Sequence, residues 1–302
     1  MFQNSDYCVT VVIVNWYSSE LISELISNLD KKAYVPNSIS YLIIDNTNGS
    51  DDKLRKLRFQ ISNIRIKIND GIGLQRSVAH ALGLNRAMVF LDTPYTLVVD
   101  PDVHVFQDEW ERVCIQRLRD HNIVAIGAPY PSWKLGKIHN FPSPVFMFIK
   151  TEDLLRVDTD WYPFPPKTRR IYNFFIRKVL RLGIVCSKDR LDKYEKLRLF
   201  SSWFEEKIGV CSPDTGWLIV NRIKELNKES IQFDAVYSSD PRVVAHSKSK
   251  ILQELSNNYE LYLYDKEPFL THKYTSDVFH WKTRKGMDKT YWQECISAFE
   301  KP

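Results

Sequence analysis

The sequence predicts an α/β fold with a mostly parallel sheet, because strand-like and helix-like patterns alternate through roughly its first hundred residues. Apolar runs rich in β-branched residues indicate buried strands at residues 9–16, 41–44 and 95–99, and the alternation of Ile with Arg and Lys at 64–68 predicts a further strand. Apolar residues at helical spacing follow the first run, from Leu21 to Leu29, and residues 74–87 are compatible with a helix. Such alternation is typical of parallel strands joined by helical crossovers.

The second half of the chain carries fewer patterns of this kind. Residues 109–120 favour a helix, and residues 123–127 and 145–149 favour strands. An aromatic and proline-rich connection spans 158–166. The pair Gly71 and Gly73 lacks the third glycine of a dinucleotide-binding fingerprint and follows the third strand, so we interpret it as a turn.

Bulk properties narrow the class of protein. The chain has 302 residues, of which 44% are hydrophobic and 26% are charged, which is an ordinary globular balance. No apolar run approaches the roughly 20 residues that span a bilayer, and the N-terminus lacks the basic head and apolar core of a secretory signal. Five cysteines without metal-type spacing favour reduced thiols. These features predict a cytoplasmic protein.

Two carboxylates separated by a proline end the fourth predicted strand. Proline gives no amide hydrogen to a ladder, so the strand should stop between Asp100 and Asp102. The carboxyl end of a central strand is where ligand crevices form in open α/β sheets. A divalent cation would relieve the repulsion between the carboxylates, and Mg²⁺ or Mn²⁺ prefers such oxygen ligands. The alternative is a surface turn, since Asp and Pro are common turn formers.

Residues 167–200 are strongly basic. They contain 11 Lys or Arg and three acidic residues, a net charge of +8, with apolar residues interleaved in the first basic cluster. This pattern suits a helix on an anionic membrane surface. It also suits an ordinary amphipathic helix whose apolar stripe lies in the core. Nucleic acid is a third partner class, but no recognition module accompanies the charge, so we expect none.

Two further residues allow either a structural or a functional interpretation. Asp214 stands where a helix running to about Asn227 would begin, and an Asp there is often only a cap that stabilises by about 1 kcal/mol. His246 ends the short apolar run 243–245, and a lone His is more often structural than a ligand.

Taken in order, four stretches resemble the family 2 glycosyltransferases, which are inverting enzymes of the GT-A fold. They are the opening strand 9–16, the strand and polar loop 43–51, the Asp100-Pro101-Asp102 turn, which resembles the family's DxD motif, and residues 214–217 in the place of its acceptor-side acidic motif. The resemblance covers roughly residues 8–250. It implies one catalytic domain over 1–302, with a Rossmann-like nucleotide-sugar half at 1–106, an acceptor half at 107–250 that includes the basic stretch, and a C-terminal extension at 251–302.

The resemblance also implies roles for individual residues. Asp102 would bind Mn²⁺ or Mg²⁺, Asp100 would contact the ribose or a metal-bound water, and Asp214 would be the general base. His246 would complete the metal shell. The nucleotide base would be bound by Asp45 or Asn46, with the backbone near Val14 and Asn15 lining the same pocket.

The implied reaction moves a sugar from a UDP-, dTDP- or GDP-sugar to a glycan or lipid-linked glycan. The basic stretch 167–200, and not the resemblance, indicates peripheral contact with the inner face of an anionic membrane, which would bring the protein to a membrane-borne acceptor. Two alternatives remain open: an inactive nucleotide-sugar-binding protein of the same fold, and another α/β transferase such as a methyltransferase. A methyltransferase would need a glycine-rich loop after the first strand, and Asn15-Trp16-Tyr17-Ser18 is not one.

Overall fold

A computed structural model describes residues 8–58, 61–157, 160–179, 188–274 and 288–301. The chain forms two compact units. The first comprises Met1–Pro129, Asn140–Pro163 and Asp214–Gln232, and the second comprises Tyr130–His139, Phe164–Pro213 and Phe233–Pro302. The predicted connection at 158–166, the basic stretch at 167–200 and the C-terminal extension lie partly outside the described residues.

The first unit is built on a seven-stranded sheet. Its strands are, in chain order, β1 (Val9–Asn15), β2 (Ile39–Asp45), β3 (Ile64–Ile68), β4 (Tyr95–Val99), β6 (Ile123–Pro129), β7 (Pro142–Lys150) and β8 (Glu229–Gln232). A short strand β5 (Val103–Val105) follows β4 along the chain but does not belong to this sheet. The order across the sheet is β3-β2-β1-β4-β7-β6-β8. Only β7 runs antiparallel to its neighbours β4 and β6; the other pairs within this sheet are parallel.

Helices flank this sheet, as the sequence predicts. Those of the first unit are α1 (Ser19–Lys32), α2 (Asp52–Leu57), α3 (Arg76–Met88), α4 (Trp110–Leu118), α5 (Thr151–Arg156) and α9 (Trp217–Glu225), with a 3₁₀ turn at Pro36–Ser38. All seven residues of β1 are buried, because the strand has a neighbour on each side and helices over the sheet. The predicted α/β class with a mostly parallel sheet is confirmed. The antiparallel β7 was not predicted, because an apolar run does not reveal strand direction.

A close backbone approach at Gly127 allows β6 and β7 to pair. A Cβ atom at this position would lie 1.9 Å from the carbonyl oxygen of Phe146, which is backbone and cannot rotate away. We expect Gly127→Ala to destabilise the protein by about 3 kcal/mol or more, since an overpacked core must shift main chain. Urea unfolding followed by circular dichroism would measure the change. Gly73→Ala is the control, because Gly73 also has a positive φ, 76°, but its Cβ would meet nothing within 4 Å. Equal losses in the two variants would contradict the packing argument.

The second unit combines helices with antiparallel strands. Its helices are α6 (Lys167–Val179), α7 (Lys188–Lys193), α8 (Glu195–Ile208), α10 (Pro241–Ala245), α11 (Ser249–Asn258) and α12 (Lys289–Glu300). Its strands are β9 (Asp234–Ala235), β10 (Glu260–Tyr264) and β11 (Glu267–His272). β10 pairs antiparallel with both β9 and β11. Among the described residues, every helix of the chain is too short or too polar to cross a lipid bilayer.

Buried charges in the second unit compensate one another. Glu260, 3% exposed, contacts the ammonium group of Lys134 through one carboxylate oxygen and lies 2.8 Å from Nδ1 of His272 through the other. Burial disfavours the charged carboxylate, but the ammonium group of Lys134 and the hydrogen bond with His272 outweigh that cost and lower the pKa of Glu260. Tyr274 adds an aromatic face 3.8 Å from Nζ of Lys134. This cluster links β10 and β11 to the segment 130–139 within the unit.

Candidate active site

The acidic turn lies at the carboxyl end of a central strand. β4 ends at Val99, and the amide of Asp100 still donates to the carbonyl of Val145 in β7, at 3.3 Å. The chain then turns through Pro101. A carboxylate oxygen of Asp100 and one of Asp102 lie within 4.8 Å of each other. Asp102 is only 4% exposed, whereas a quarter of the Asp100 side chain is open to solvent. The two groups are therefore close enough to share one cation.

A helix residue holds the backbone that follows this turn. The side-chain amide of Asn28 in α1 donates to the carbonyl of Val105 at 3.0 Å, and its oxygen accepts from the amide of Val105 at 2.8 Å. Asn28 is buried, so this pair of bonds forms away from water. It fixes β5 against α1 and thereby limits how far Asp102 moves.

The predicted base-binding residues meet where β1 and β2 end side by side. Asn15 and Asp45 are paired in the parallel register, and Asp45 is 1% exposed. Its Oδ1 accepts from Asn15 Nδ2 at 3.0 Å and from the amide and hydroxyl of Thr47 at 3.1 and 2.7 Å. Its Oδ2 accepts from the amide of Gly49 at 3.2 Å. The Asp45 carboxylate thus organises the loop that follows β2.

The side chain of Asn46 is also bound within the protein. Its amide donates to the carbonyl of Ala79 at 2.8 Å, and its oxygen accepts from Asn69 Nδ2 at 2.7 Å. Gly83 of α3 passes so close that a Cβ there would lie 3.0 Å from a methyl group of Val14 and 3.2 Å from Asn46 Oδ1. The structure therefore brings Val14, Asn15, Asp45 and Asn46 together, and α3 packs tightly over them.

We expect Asp45→Ala to destabilise the fold by about 3 kcal/mol, since buried donors of Asn15, Thr47 and Gly49 would lose their acceptor. Chemical denaturation in urea would measure the free energy of unfolding. Asp70→Ala is the control, because Asp70 is exposed and accepts one bond, from the amide of Ile72 at 3.1 Å. A loss for Asp45→Ala no larger than that of the control would contradict a structural role for the carboxylate.

The first turns of α3 contact both the acidic turn and the segment that carries Asp214. His80 Nε2 lies 3.7 Å from Asp100 Oδ1. One helical turn earlier, the carbonyl of Ser77 accepts from the hydroxyl of Thr215 at 3.3 Å. The structure thus places the residue after Asp214 against the same helix end that borders Asp100.

Asp214 precedes α9 and contacts its own neighbours. Its Oδ1 accepts from the amide of Thr215 at 2.9 Å, and its carbonyl accepts from the amide of Trp217 at 3.1 Å. These local bonds are compatible with the interpretation that Asp214 only caps the start of the helix.

His246 belongs to the second unit, where it follows α10. Its Nδ1 accepts from the amide of Lys248 at 3.0 Å, its Nε2 lies 3.9 Å from a carboxylate oxygen of Glu267, and its ring centroid is 5.8 Å from that of Phe299. These contacts give His246 a structural environment. Its part in a metal site stays a prediction.

Two aromatic residues directly after β1 have no role predicted from the sequence. Trp16 is 48% exposed and Tyr17 is 60% exposed, and the Tyr17 hydroxyl lies 2.8 Å from that of Ser50 in the loop after β2. Aromatic side chains combine a large apolar surface with a polar group, so these two are available to contact a bound molecule. The signal in the sequence was their position, directly after a strand that is buried along its whole length.

Comparisons with other proteins give a partial likeness of fold. The sequence matches no protein-family profile and no curated protein. A solved mannosyltransferase, PcManGT from Pyrobaculum calidifontis in complex with GDP-Man and Mn²⁺, aligns with 49% of this chain and 46% of its own, at 17% identity and a TM-score of 0.40. S. aureus TarS 1-349 aligns with 51% of this chain and 50% of its own, at 14% identity and a TM-score of 0.40. The complex of TarS 1-349 with UDP-GlcNAc aligns with 51% of this chain and 48% of its own, at 13% identity and a TM-score of 0.38. The chain thus spans about half the length of each.

Proposed function

We propose that this protein transfers a sugar from a nucleotide-sugar donor to a saccharide or lipid-linked saccharide by a single inverting displacement. The observation that carries the proposal is the position of Asp100 and Asp102 at the carboxyl end of β4, beside the α3 turns that also contact Thr215. The carboxylates that can bind a cation and the segment that carries the proposed general base, Asp214, then border the same end of α3.

The donor set of the acidic turn fits a hard divalent cation. Two carboxylates whose oxygens approach within 4.8 Å suit Mg²⁺ or Mn²⁺, which bind oxygen ligands from protein and phosphate. Asp102 would bind the ion, and Asp100 would contact the ribose or a metal-bound water. When bound, the cation supplies positive charge that neutralises the diphosphate leaving group. Asp102 is nearly buried, so its carboxylate is held in one place before the donor arrives.

The nucleotide base would lie beside the ends of β1 and β2. Asp45 and Asn46 already use their side chains to shape this loop, so in the proposed site they present a preformed edge to the base, together with the backbone near Val14 and Asn15. A rigid edge lowers the entropy cost of donor binding.

Asp214 would accept the proton of the attacking hydroxyl group. A carboxylate within hydrogen-bond reach of that hydroxyl raises the rate by about 10²–10⁴-fold. The base and the leaving group must act on opposite faces of the sugar, so the anomeric carbon inverts. His246 remains the proposed further metal ligand.

Two measurements test the proposal together. A thermal-shift screen of UDP, dTDP and GDP with and without Mn²⁺ should show cation-dependent stabilisation by one nucleotide, because a ligand that binds the folded state raises its stability. The matching nucleotide sugar should then transfer its sugar to an added acceptor. Hydrolysis of the donor alone would not count. Nucleotide binding without transfer to any acceptor of a glycan panel would favour an inactive binding protein, and no nucleotide binding would overturn the proposal.

A further inference from the structure

Helix α6 of the second unit presents three large apolar side chains to solvent. Ile171, Phe174 and Phe175 are 62%, 47% and 61% exposed, whereas Asn173 is only 2% exposed. An ordinary amphipathic helix has the opposite arrangement, with apolar residues inside and polar residues in water. The hypothesis that the apolar stripe of this segment lies in the core is therefore wrong for the described part of α6.

Helix α8 in the same unit also exposes large apolar side chains. Leu199, Phe200 and Trp203 are 65%, 44% and 53% exposed, while the small polar residue Ser201 is 3% exposed. Large apolar residues that share one helix face in water are unusual on a monomeric protein and mark an interaction surface. Two such helices in one unit make chance exposure a poor explanation.

The charge of α6 indicates the chemistry of the partner. The helix sequence contains five Lys or Arg and no Asp or Glu. Arg169 and Arg170 are exposed, and their guanidinium groups lie 5.0 Å from the ring of Tyr172 and 4.6 Å from the ring of Phe164. Cations therefore stand beside aromatic rings along the exposed part of the helix. α8 carries three basic and three acidic residues, so it contributes apolar area and no net charge.

We propose that α6 and α8 bind the surface of an anionic lipid bilayer, with their exposed aromatic and aliphatic side chains in the headgroup region. Helices that lie on membranes combine an apolar face with Lys and Arg, and aromatic rings favour the interface. A protein partner fits less well, because charged residues are depleted at the cores of protein–protein interfaces and α6 carries five cations without an acidic residue. The proposal is independent of the proposed transfer reaction, since no donor or acceptor takes part in this contact.

Vesicle flotation of the full chain tests the proposal. We expect the protein to float with vesicles of 70% phosphatidylcholine and 30% phosphatidylglycerol, and to bind pure phosphatidylcholine at least about tenfold more weakly, because basic residues are attracted to anionic headgroups. Raising the salt concentration to about 0.5 M should weaken binding to the anionic vesicles, because salt screens this attraction.

Paired variants separate the apolar and the electrostatic contributions. Phe174→Ser with Phe175→Ser should reduce binding about tenfold or more, and Arg169→Gln with Arg170→Gln should reduce it by a similar factor and weaken its salt dependence. Val244→Ser is the control, because Val244 is also exposed, at 52%, but lies on α10. It should bind like the unchanged protein. Circular dichroism and thermal melting of each variant would verify that it folds.

Three outcomes would overturn the proposal. They are the absence of binding to anionic vesicles, equal binding to neutral and anionic vesicles, and paired α6 variants that fold and bind unchanged. Concentration-dependent dimers in light scattering that disappear in the Phe174 and Phe175 variant, without vesicle binding, would assign the surface to a second copy of the chain instead.

Discussion

Asp102→Asn should reduce sugar transfer by about 10³-fold or more and abolish the Mn²⁺-dependent stabilisation by nucleotide. The amide keeps the shape of the carboxylate but carries no charge, so the acidic turn loses half of its negative charge and the ligand that we assign to the cation. At a ligand concentration of 100 times Kd, binding stabilises the folded state by about 2.7 kcal/mol, and this cation-dependent shift should disappear. Transfer assays and thermal melts with and without Mn²⁺ would measure both effects.

Asp92→Asn is the matched control for this substitution. Asp92 precedes the other end of the same strand, where its side chain is 62% exposed and pairs with Arg65 at 2.8 Å. Exposed pairs of this kind contribute little, so the control should keep transfer and nucleotide-dependent stabilisation. An Asp102→Asn protein that folds and still shows the full Mn²⁺-dependent shift would contradict a cation site at the acidic turn.

The second large effect is expected at Asp214. Asp214→Asn should reduce transfer by about 10²–10⁴-fold, because the substitution removes the group that accepts the proton of the attacking hydroxyl. Nucleotide binding should stay nearly unchanged, because the proposed site gives Asp214 no contact with the nucleotide sugar. The amide oxygen can still accept the bond from the Thr215 amide, so we expect little loss of stability. Single-turnover transfer and the thermal shift with nucleotide would separate chemistry from binding.

Glu225→Gln is the control at the opposite end of α9. Glu225 is the last residue of the helix and is exposed, so neutralising it should leave both readouts unchanged. Ordinary turnover in Asp214→Asn would contradict the general-base role and would leave Asp214 as a residue that starts the helix. A simultaneous loss of nucleotide binding would instead place Asp214 at the donor.

The parts of the fold that were predicted correctly depend on local sequence. β1 is apolar apart from Thr10 and Asn15 because the strand is buried on both faces, and Pro101 stops β4 where the sequence predicts. The direction of β7 and its insertion between β4 and β6 were not predicted. Neighbours in a sheet are chosen by packing between distant segments, and an apolar run such as 145–149 carries the same pattern in either direction.

The residues of the candidate site were also predicted from local sequence, whereas the contacts between distant segments were not. Asp100 and Asp102 were identified because they follow a strand and are separated by a proline, and Asp45 because it ends a buried strand. The contacts of Ser77 with Thr215 and of His80 with Asp100 were not predicted. Thr215 lies 138 residues after Ser77, and no local pattern encodes a contact over such a separation.

By itself, the sequence determined most strands and helices of the first 150 residues and where an acidic turn interrupts them, because these features follow from side-chain periodicity and from the missing amide hydrogen of proline. Only the tertiary structure decided that Asp100 and Thr215 both contact α3 and which face of α6 is exposed to solvent. The apolar residues of α6 have the same helical spacing whether they face a core or solvent. Whether that stripe enters a core depends on the surface that packs against the helix, and here Asn173 occupies the buried position.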